Sequence, residues 1–406
     1  MRREELPLLT LAEAATLIAR QEVSPLELAE ATLERIARVE PRLNAFITVT
    51  YDEAMRAARR AEEELARGRY RGPLHGIPVA LKDIYATRGV RTTCGSKLLA
   101  HWVPDHDATA WARLRRAGAV LVGKNNLHEF AAGSTTTNPH YGPCRNPWDA
   151  EHVPGGSSGG SGAAVAARLC FLSMGTDTGG SVRSPAAQCG VVGLKPTYGL
   201  VSRHGIFSLS WSLDHAGPLT RTVEDCALVM NALAGYDARD PSSVRVPRVD
   251  YTRAVTGDPS LRGVRVGLVR EHLEDAAEDV EEAVRRAVGV LAELGATVEE
   301  VSLPLTAQHA STVGAVISAS ESASIHAEWL ASRPGDYGPD VRARFQEGAL
   351  LRAAQYHQAQ RLRRLIRQEL LDALARHDVL LGPNNPITAP RIGQRQVTVK
   401  GRTESI

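Results

Sequence analysis

Hydrophobic and polar positions along the chain alternate between two periods. Short apolar runs rich in Val, Leu and Ile at 76–84, 119–123, 169–175, 261–269, 297–303 and 378–381 read as buried strands, and 44–49 as a further one. Between them the apolar residues recur every three to four positions. In 276–294, Val280, Ala283, Val284, Ala287, Leu291 and Leu294 form one stripe, and Gly295 stops it. The same spacing predicts helices over 11–19, 25–39, 51–67, 107–117, 159–168 and 222–233, with 307–374 largely helical. Thr10 with Glu13 and Ser24 with Glu27 supply capping boxes for the first two, and Pro25 suits a first helical turn. Strands alternating with helices imply an α/β fold, in the order expected of a doubly wound sheet.

Composition narrows the class of function. The 406 residues carry 43% hydrophobic and 23% charged residues and a net charge of +2, which gives no strong field for nucleic acid or for cations. No run of eighteen apolar residues predicts a membrane span, and the N-terminus lacks the apolar core of a secretion signal. Five cysteines, Cys94, Cys144, Cys170, Cys189 and Cys226, stand at wide spacings without a C-x-x-C pair, which favours reduced thiols and a cytoplasmic protein. None of them is a candidate nucleophile. Of the 48 basic residues only Lys82, Lys97, Lys124, Lys195 and Lys400 are lysines. Lys82 follows Pro78-Val79-Ala80-Leu81, an apolar setting that lowers an amine pKa, although a lysine at a strand end can also snorkel to water.

Candidate chemistry concentrates in residues 153–197, where glycine and serine clusters flank a buried Ala/Val/Leu/Phe run. Gly175 and Gly180 have the spacing of a phosphate-binding loop, but Ser181-Val182 stands where Lys-Ser/Thr is needed. Gly155-x-Ser157-x-Gly159 and Gly156-x-Ser158-x-Gly160 both match a nucleophile elbow, yet no strand precedes them. The stretch GTDTGGSVRSP at 175–185 resembles the G-[ST]-D-x-G-G-S-[IV]-R-x-P motif of the amidase signature family at every defined position. GPLHGIPVALKDI at 72–84 resembles the family segment that carries its lysine, and the likeness extends from about Leu11 to Pro390.

The resemblance implies a mixed central β-sheet covered by helices on both faces, without a cofactor or metal. It places a Ser-Ser-Lys triad on Ser181 as nucleophile, Ser157 as bridging serine in a cis peptide, and Lys82 as base. It puts the oxyanion donors on the backbone of Thr178, Gly179, Gly180 and Ser181. Asp177, Arg183 and Ser158 are expected to support the site. The implied organisation is a single domain: an N-terminal helical arm (1–68), a catalytic core (69–304), a helical specificity region (305–376) and an incomplete C-terminal segment (377–406). Asn384 departs from the usual threonine after the proline at 383. Family members continue further, so truncation is expected at the C-terminus.

The expected function is amidase hydrolysis of a small-molecule carboxylic amide through an acyl-enzyme, without direct nucleic-acid or membrane partners. Homodimerisation is left open. Asn138-Pro139-His140-Tyr141 and Ser212-Leu213-Asp214-His215 point to stand-alone amidases. The alternatives are the glutaminase subunit of a tRNA-dependent amidotransferase, which needs a partner subunit, and an inactive homologue with a binding or structural role. His101, Asp105, His106 and Asp107, and the pair His128-Glu129, read as ordinary loop polar groups, since H-E-x-x-H lacks its second His.

Overall fold

The computed structural model describes residues 2–255, 257 and 259–405. The chain forms two compact units, Met1–Thr256 with Ala331–Arg342, and Gly257–Leu330 with Ala343–Ile406. In chain order the first contains α1 (Leu11–Ala19), α2 (Pro25–Leu43), β1 (Phe46–Val49), α3 (Tyr51–Ala66), β2 (Pro78–Lys82), α4 (Thr109–Arg116) and β3 (Val120–Asn125). It continues with the two-residue strands β4 (Thr137–Asn138) and β5 (Gly142–Pro143), then α5 (Gly159–Ala166), β6 (Leu172–Asp177), α6 (Arg183–Cys189), β7 (Val192–Gly193), β8 (His215–Thr220) and α7 (Val223–Leu233).

Six strands make one sheet in the order β1-β3-β2-β6-β8-β7. The central β3, β2 and β6 are parallel, whereas β1, β8 and β7 join antiparallel, so the sheet is mixed and not purely doubly wound. Helices cover both faces. Ala29, Leu33 and Ile36 of α2, Ala54 and Ala58 of α3, and Ala163 and Val165 of α5 form one core with Ala80, Val120, Val122 and Leu219 from the strands. Both expected capping boxes form, with Thr10 Oγ1 accepting from Glu13 N–H and Ser24 Oγ from Glu27 N–H.

β8 and α6 lie outside the elements that periodicity predicts. The β8 sequence HAGPLT holds Gly217 and Pro218, which weaken a strand reading. Pro185 sits in the first turn of α6, where its missing N–H breaks no helical bond. The parallel register sets Lys82 beside Asn125 and Leu81 beside both Lys124 and Met174. The carboxyl ends of β2 and β6 therefore lie together, the position where open α/β sheets bind ligands.

The second unit holds β9 (Arg265–Val269), α8 (Arg270–Glu274), α9 (Glu278–Glu293), β10 (Thr297–Val301), most of α10 (Pro304–Ser332) and of α11 (Pro339–Leu350), α12 (Ala353–Leu374) and β11 (Val379–Leu381). Its parallel sheet has the order β10-β9-β11, and β12 (Gln396–Val399) pairs with β13 (Arg402–Ser405) as a hairpin. His326 of α10 stacks on Phe345 of α11 at 4.4 Å between ring centroids. No helix among the described residues is long and apolar enough to cross a membrane.

Candidate active site

Lys82 ends β2 with its side chain fully buried. Its Nζ donates to Ser157 Oγ at 2.6 Å and to Thr176 Oγ1 at 2.8 Å. Both partners are uncharged hydroxyls. Burial strips the ammonium of hydration and pulls its pKa down to about 7, while the carboxylates of Asp214 and Asp177 work in the opposite direction. Tyr85 fixes the neighbouring strand end, its hydroxyl donating to Gly175 O at 2.6 Å.

Ser157 follows a cis peptide bond from Gly156. This loop passes against backbone, and a Cβ on Gly156 would lie 2.5 Å from the Ser134 carbonyl carbon, which restricts the position to glycine. Thr136 Oγ1 ties the loop together, donating to Gly155 O at 2.7 Å and accepting from Gly159 N–H at 3.0 Å. Ser158 links the loop to the next segment. Its N–H donates to Ser181 O at 3.2 Å, and its hydroxyl donates to Thr176 O at 3.3 Å.

Ser181 sits in the turn between β6 and α6 and is partly exposed, whereas Ser157, Ser158 and Ser161 are fully buried. Asp177 shapes that turn. Its carboxylate accepts from the N–H groups of Gly180 at 2.9 Å, Val182 at 3.1 Å and Arg183 at 3.3 Å. The Arg183 side chain adds a bidentate pair at 3.0 and 2.9 Å. Burial pushes the Asp177 carboxyl up, but Arg183 and the backbone donors outweigh it, and the net direction is down. Gly180 adopts φ +134, a left-handed conformation suited to glycine. Its N–H is engaged with Asp177, while those of Thr178, Gly179 and Ser181 have no acceptor among the described residues.

Several participants gave no individual sign in the sequence. Asp214 accepts from Thr178 Oγ1 at 2.6 Å, Ser208 Oγ at 2.8 Å, Leu209 N–H at 2.9 Å and Ser210 N–H at 3.0 Å, securing the 208–214 turn to the serine turn. Thr176 and Tyr85 are likewise set by the fold. His128 and Glu129 are buried, unlike ordinary loop groups. Glu129 accepts from Ser96 Oγ at 2.6 Å and Gly338 N–H at 2.7 Å and faces His140 Nε2 at 3.0 Å; His128 Nε2 faces Asp340 at 2.8 Å. Among the described residues no three His, Cys, Asp or Glu side chains converge as a metal site. All five cysteines are unpaired and buried, and burial raises the thiols, Cys170 to about 12 and Cys226 to about 11.

A family model described as Amidase matches residues 27–405. The chain belongs to the amidase signature family. Among curated proteins, a glutamyl-tRNA(Gln) amidotransferase subunit of Geotalea daltonii is 44% identical, covering 95% of this chain and 84% of that protein. A solved structure described as a vestigial protein complex that reveals the evolutionary origins of an s-triazine catabolic enzyme superposes with TM-score 0.93 at 38% identity, covering 98% of this chain and 86% of its own. A bacterial aryl acylamidase superposes with TM-score 0.89 at 29% identity, over 98% of this chain and 84% of its own. Family membership makes this an amidase-family hydrolase acting on carbon–nitrogen amide bonds.

Proposed function

We propose that the chain cleaves a primary carboxamide with Ser181 as nucleophile, Ser157 as proton bridge and Lys82 as base, and that the amide is the side chain of glutamine. The observation that carries the chemistry is the 2.6 Å contact between Lys82 and Ser157 in a fully buried setting. With Lys82 neutral, Ser157 gives its hydroxyl proton to Nζ and takes one from Ser181 as Ser181 Oγ bonds to the amide carbon. The N–H groups of Thr178, Gly179 and Ser181 face the oxyanion, each donor supplying on the order of 3 kcal/mol. Gly180 contributes through its bond to Asp177, and Asp177, Arg183 and Ser158 hold the turn. The relay then runs in reverse to protonate the leaving nitrogen, the C–N bond breaks, and water hydrolyses the acyl-serine.

Glutamine is favoured because the amidotransferase protein of Geotalea daltonii is 44% identical over nearly the whole chain. In that role the released ammonia passes to partner subunits. The likeness to an aryl acylamidase supports a second reading, a stand-alone amidase for small or aryl amides. Ammonia release from glutamine, a simple aliphatic amide and an anilide, with and without amidotransferase partner subunits, separates the two. Glutaminase activity raised by the partners is the expected result. Turnover of the other amides with none of glutamine overturns it in favour of the second reading.

A further inference from the structure

Asp214 is 8% exposed, and its carboxylate accepts from Thr178 Oγ1 at 2.6 Å, Ser208 Oγ at 2.8 Å, Leu209 N–H at 2.9 Å and Ser210 N–H at 3.0 Å. Accepting at each of these contacts, it has the bonding of an ionised carboxylate, yet all four donors are uncharged. Among the described residues no Lys, Arg or His side chain pairs with it. The Arg203 guanidinium donates instead to the main-chain oxygen of Asp214 at 3.3 Å and pairs with Asp240. Asp177, the other carboxylate of the site, is neutralised by Arg183. Lys82 is the complementary case, a fully buried amine that donates to two hydroxyls. One of those hydroxyls belongs to Thr176, which lines the same cavity of about 170 Å³ as Asp214.

We propose that Asp214 is a positioning residue that joins the two halves of the site: through the Thr178 hydroxyl it aligns the Thr178 N–H on the oxyanion, and its unpaired charge balances the Lys82 ammonium. The inference rests on Ser181 being the nucleophile and Lys82 the base. Thr178 lies just beyond the end of β6, and its N–H has no acceptor among the described residues, so the side-chain bond to Asp214 is what fixes its orientation. The charge of Asp214 acts on Lys82 more strongly than that of Asp177. An opposite charge favours the protonated amine and is poorly screened in a buried setting, so Asp214 holds Lys82 up against the pull of burial. The other titratable neighbours do not replace it. Asp83 pairs with Lys124 at 3.0 Å, burial keeps the Cys94 thiol neutral, and burial pulls the His215 imidazole below its ordinary range.

The test is saturable labelling of Ser181 by a fluorophosphonate in the full chain, followed from pH 5 to 9, which separates kinact from KI without any amide substrate. The phosphoryl oxygen occupies the oxyanion position as the bond to Ser181 Oγ forms, so donor alignment enters kinact and not KI. Thr178→Val removes the bond and keeps the charge; kinact should fall about tenfold at every pH with KI and the acid limb unmoved. Thr178→Ser, which keeps the hydroxyl, should regain most of that loss. Asp214→Asn removes the charge as well, and its acid limb should move to lower pH by about half a unit or more, below a reduced plateau. Unchanged kinact in Thr178→Val, or a loss confined to KI, overturns the alignment. A limb that stays or rises in Asp214→Asn overturns the charge argument, as a purely structural carboxylate would leave it in place. If Asp214→Asn does not fold, Thr178→Val decides alone, because it leaves the other three donors to Asp214 intact. Wild-type labelling away from Ser181, or normal labelling of Lys82→Arg, instead defeats the assignment of nucleophile or base, and the inference with it.

Discussion

The six-stranded sheet of the first unit and the three-stranded sheet of the second both rest on parallel strands joined by helices, yet they spend their polar residues differently. In β2, β3 and β6 every residue is buried, including Lys82, Lys124, Asn125, Ser173, Thr176 and Asp177. Each of these side chains has a partner, such as Ser173 Oγ donating to Asn125 Oδ1 at 2.7 Å. In the second unit, by contrast, Glu299 and Glu300 of β10 face solvent, and α9 presents exposed pairs such as Glu282 with Arg286 at 2.6 Å. Burying a polar group costs free energy unless its bonds are replaced, so a strand end crowded with satisfied buried polar groups marks chemistry. Regular alternation of strand and helix marks only scaffold.

The sharpest way to break that contrast is to change the buried base. Lys82→Arg is expected to lower kcat/KM by about 10³-fold, as much as Lys82→Ala, because a guanidinium keeps its proton. Near-wild-type turnover in Lys82→Arg would remove lysine from the mechanism. Next in size is the pH response. Lys82 has its pKa pulled down to about 7, so the neutral base accumulates as pH rises through that point. Near pH 5 about one lysine in a hundred is neutral, and kcat/KM should stand about a hundredfold below its alkaline plateau. A profile flat from pH 5 to 9 would contradict it.

Asp177→Asn should have a smaller effect, about ten- to a hundredfold on kcat/KM, through loss of the Arg183 pair and a looser serine turn. The lowered Asp177 pKa also makes it a stabilising group above the ordinary carboxylate range. That contribution disappears as pH falls through its folded pKa, so acid unfolding should begin at higher pH in Asp177→Asn. The smallest response belongs to the scaffold. Glu282→Gln in α9 should leave kcat/KM within about twofold and Tm within about 1 °C, since the pair is exposed. A large loss of activity there would erase the distinction between the two sheets.

The sequence made the strand and helix periods readable because they are local. The α9 stripe and the β2 run therefore lie where periodicity places them, although no residue of α9 is fully buried. The GTDTGGSVRSP turn was legible because its glycines and charges follow one another directly. Thr176 and Tyr85 were not, because their partners Lys82 and Gly175 lie 94 and 90 residues away, nor was the bond that ties Asp214 to Thr178, which spans 36 positions although its other donors, Ser208, Leu209 and Ser210, are local. Glu129 was misread as a solvated loop group for the same reason: its bond to Gly338 spans 209 positions. Gly217 and Pro218 hid β8, which strand pairing with β6 and β7 stabilises despite their poor intrinsic preference.

With every thiol enclosed, the native surface is blank to maleimides, and the cysteine count becomes a gauge of unfolding. Intact protein should take up almost no reagent, and all five sites should react once denaturant opens the chain. One cysteine introduced at an open surface point, such as Gly289→Cys in α9 where an added side-chain carbon meets nothing within 4 Å, would then be a unique handle. A fluorophore could be attached there in a single step, without first removing any of the native cysteines.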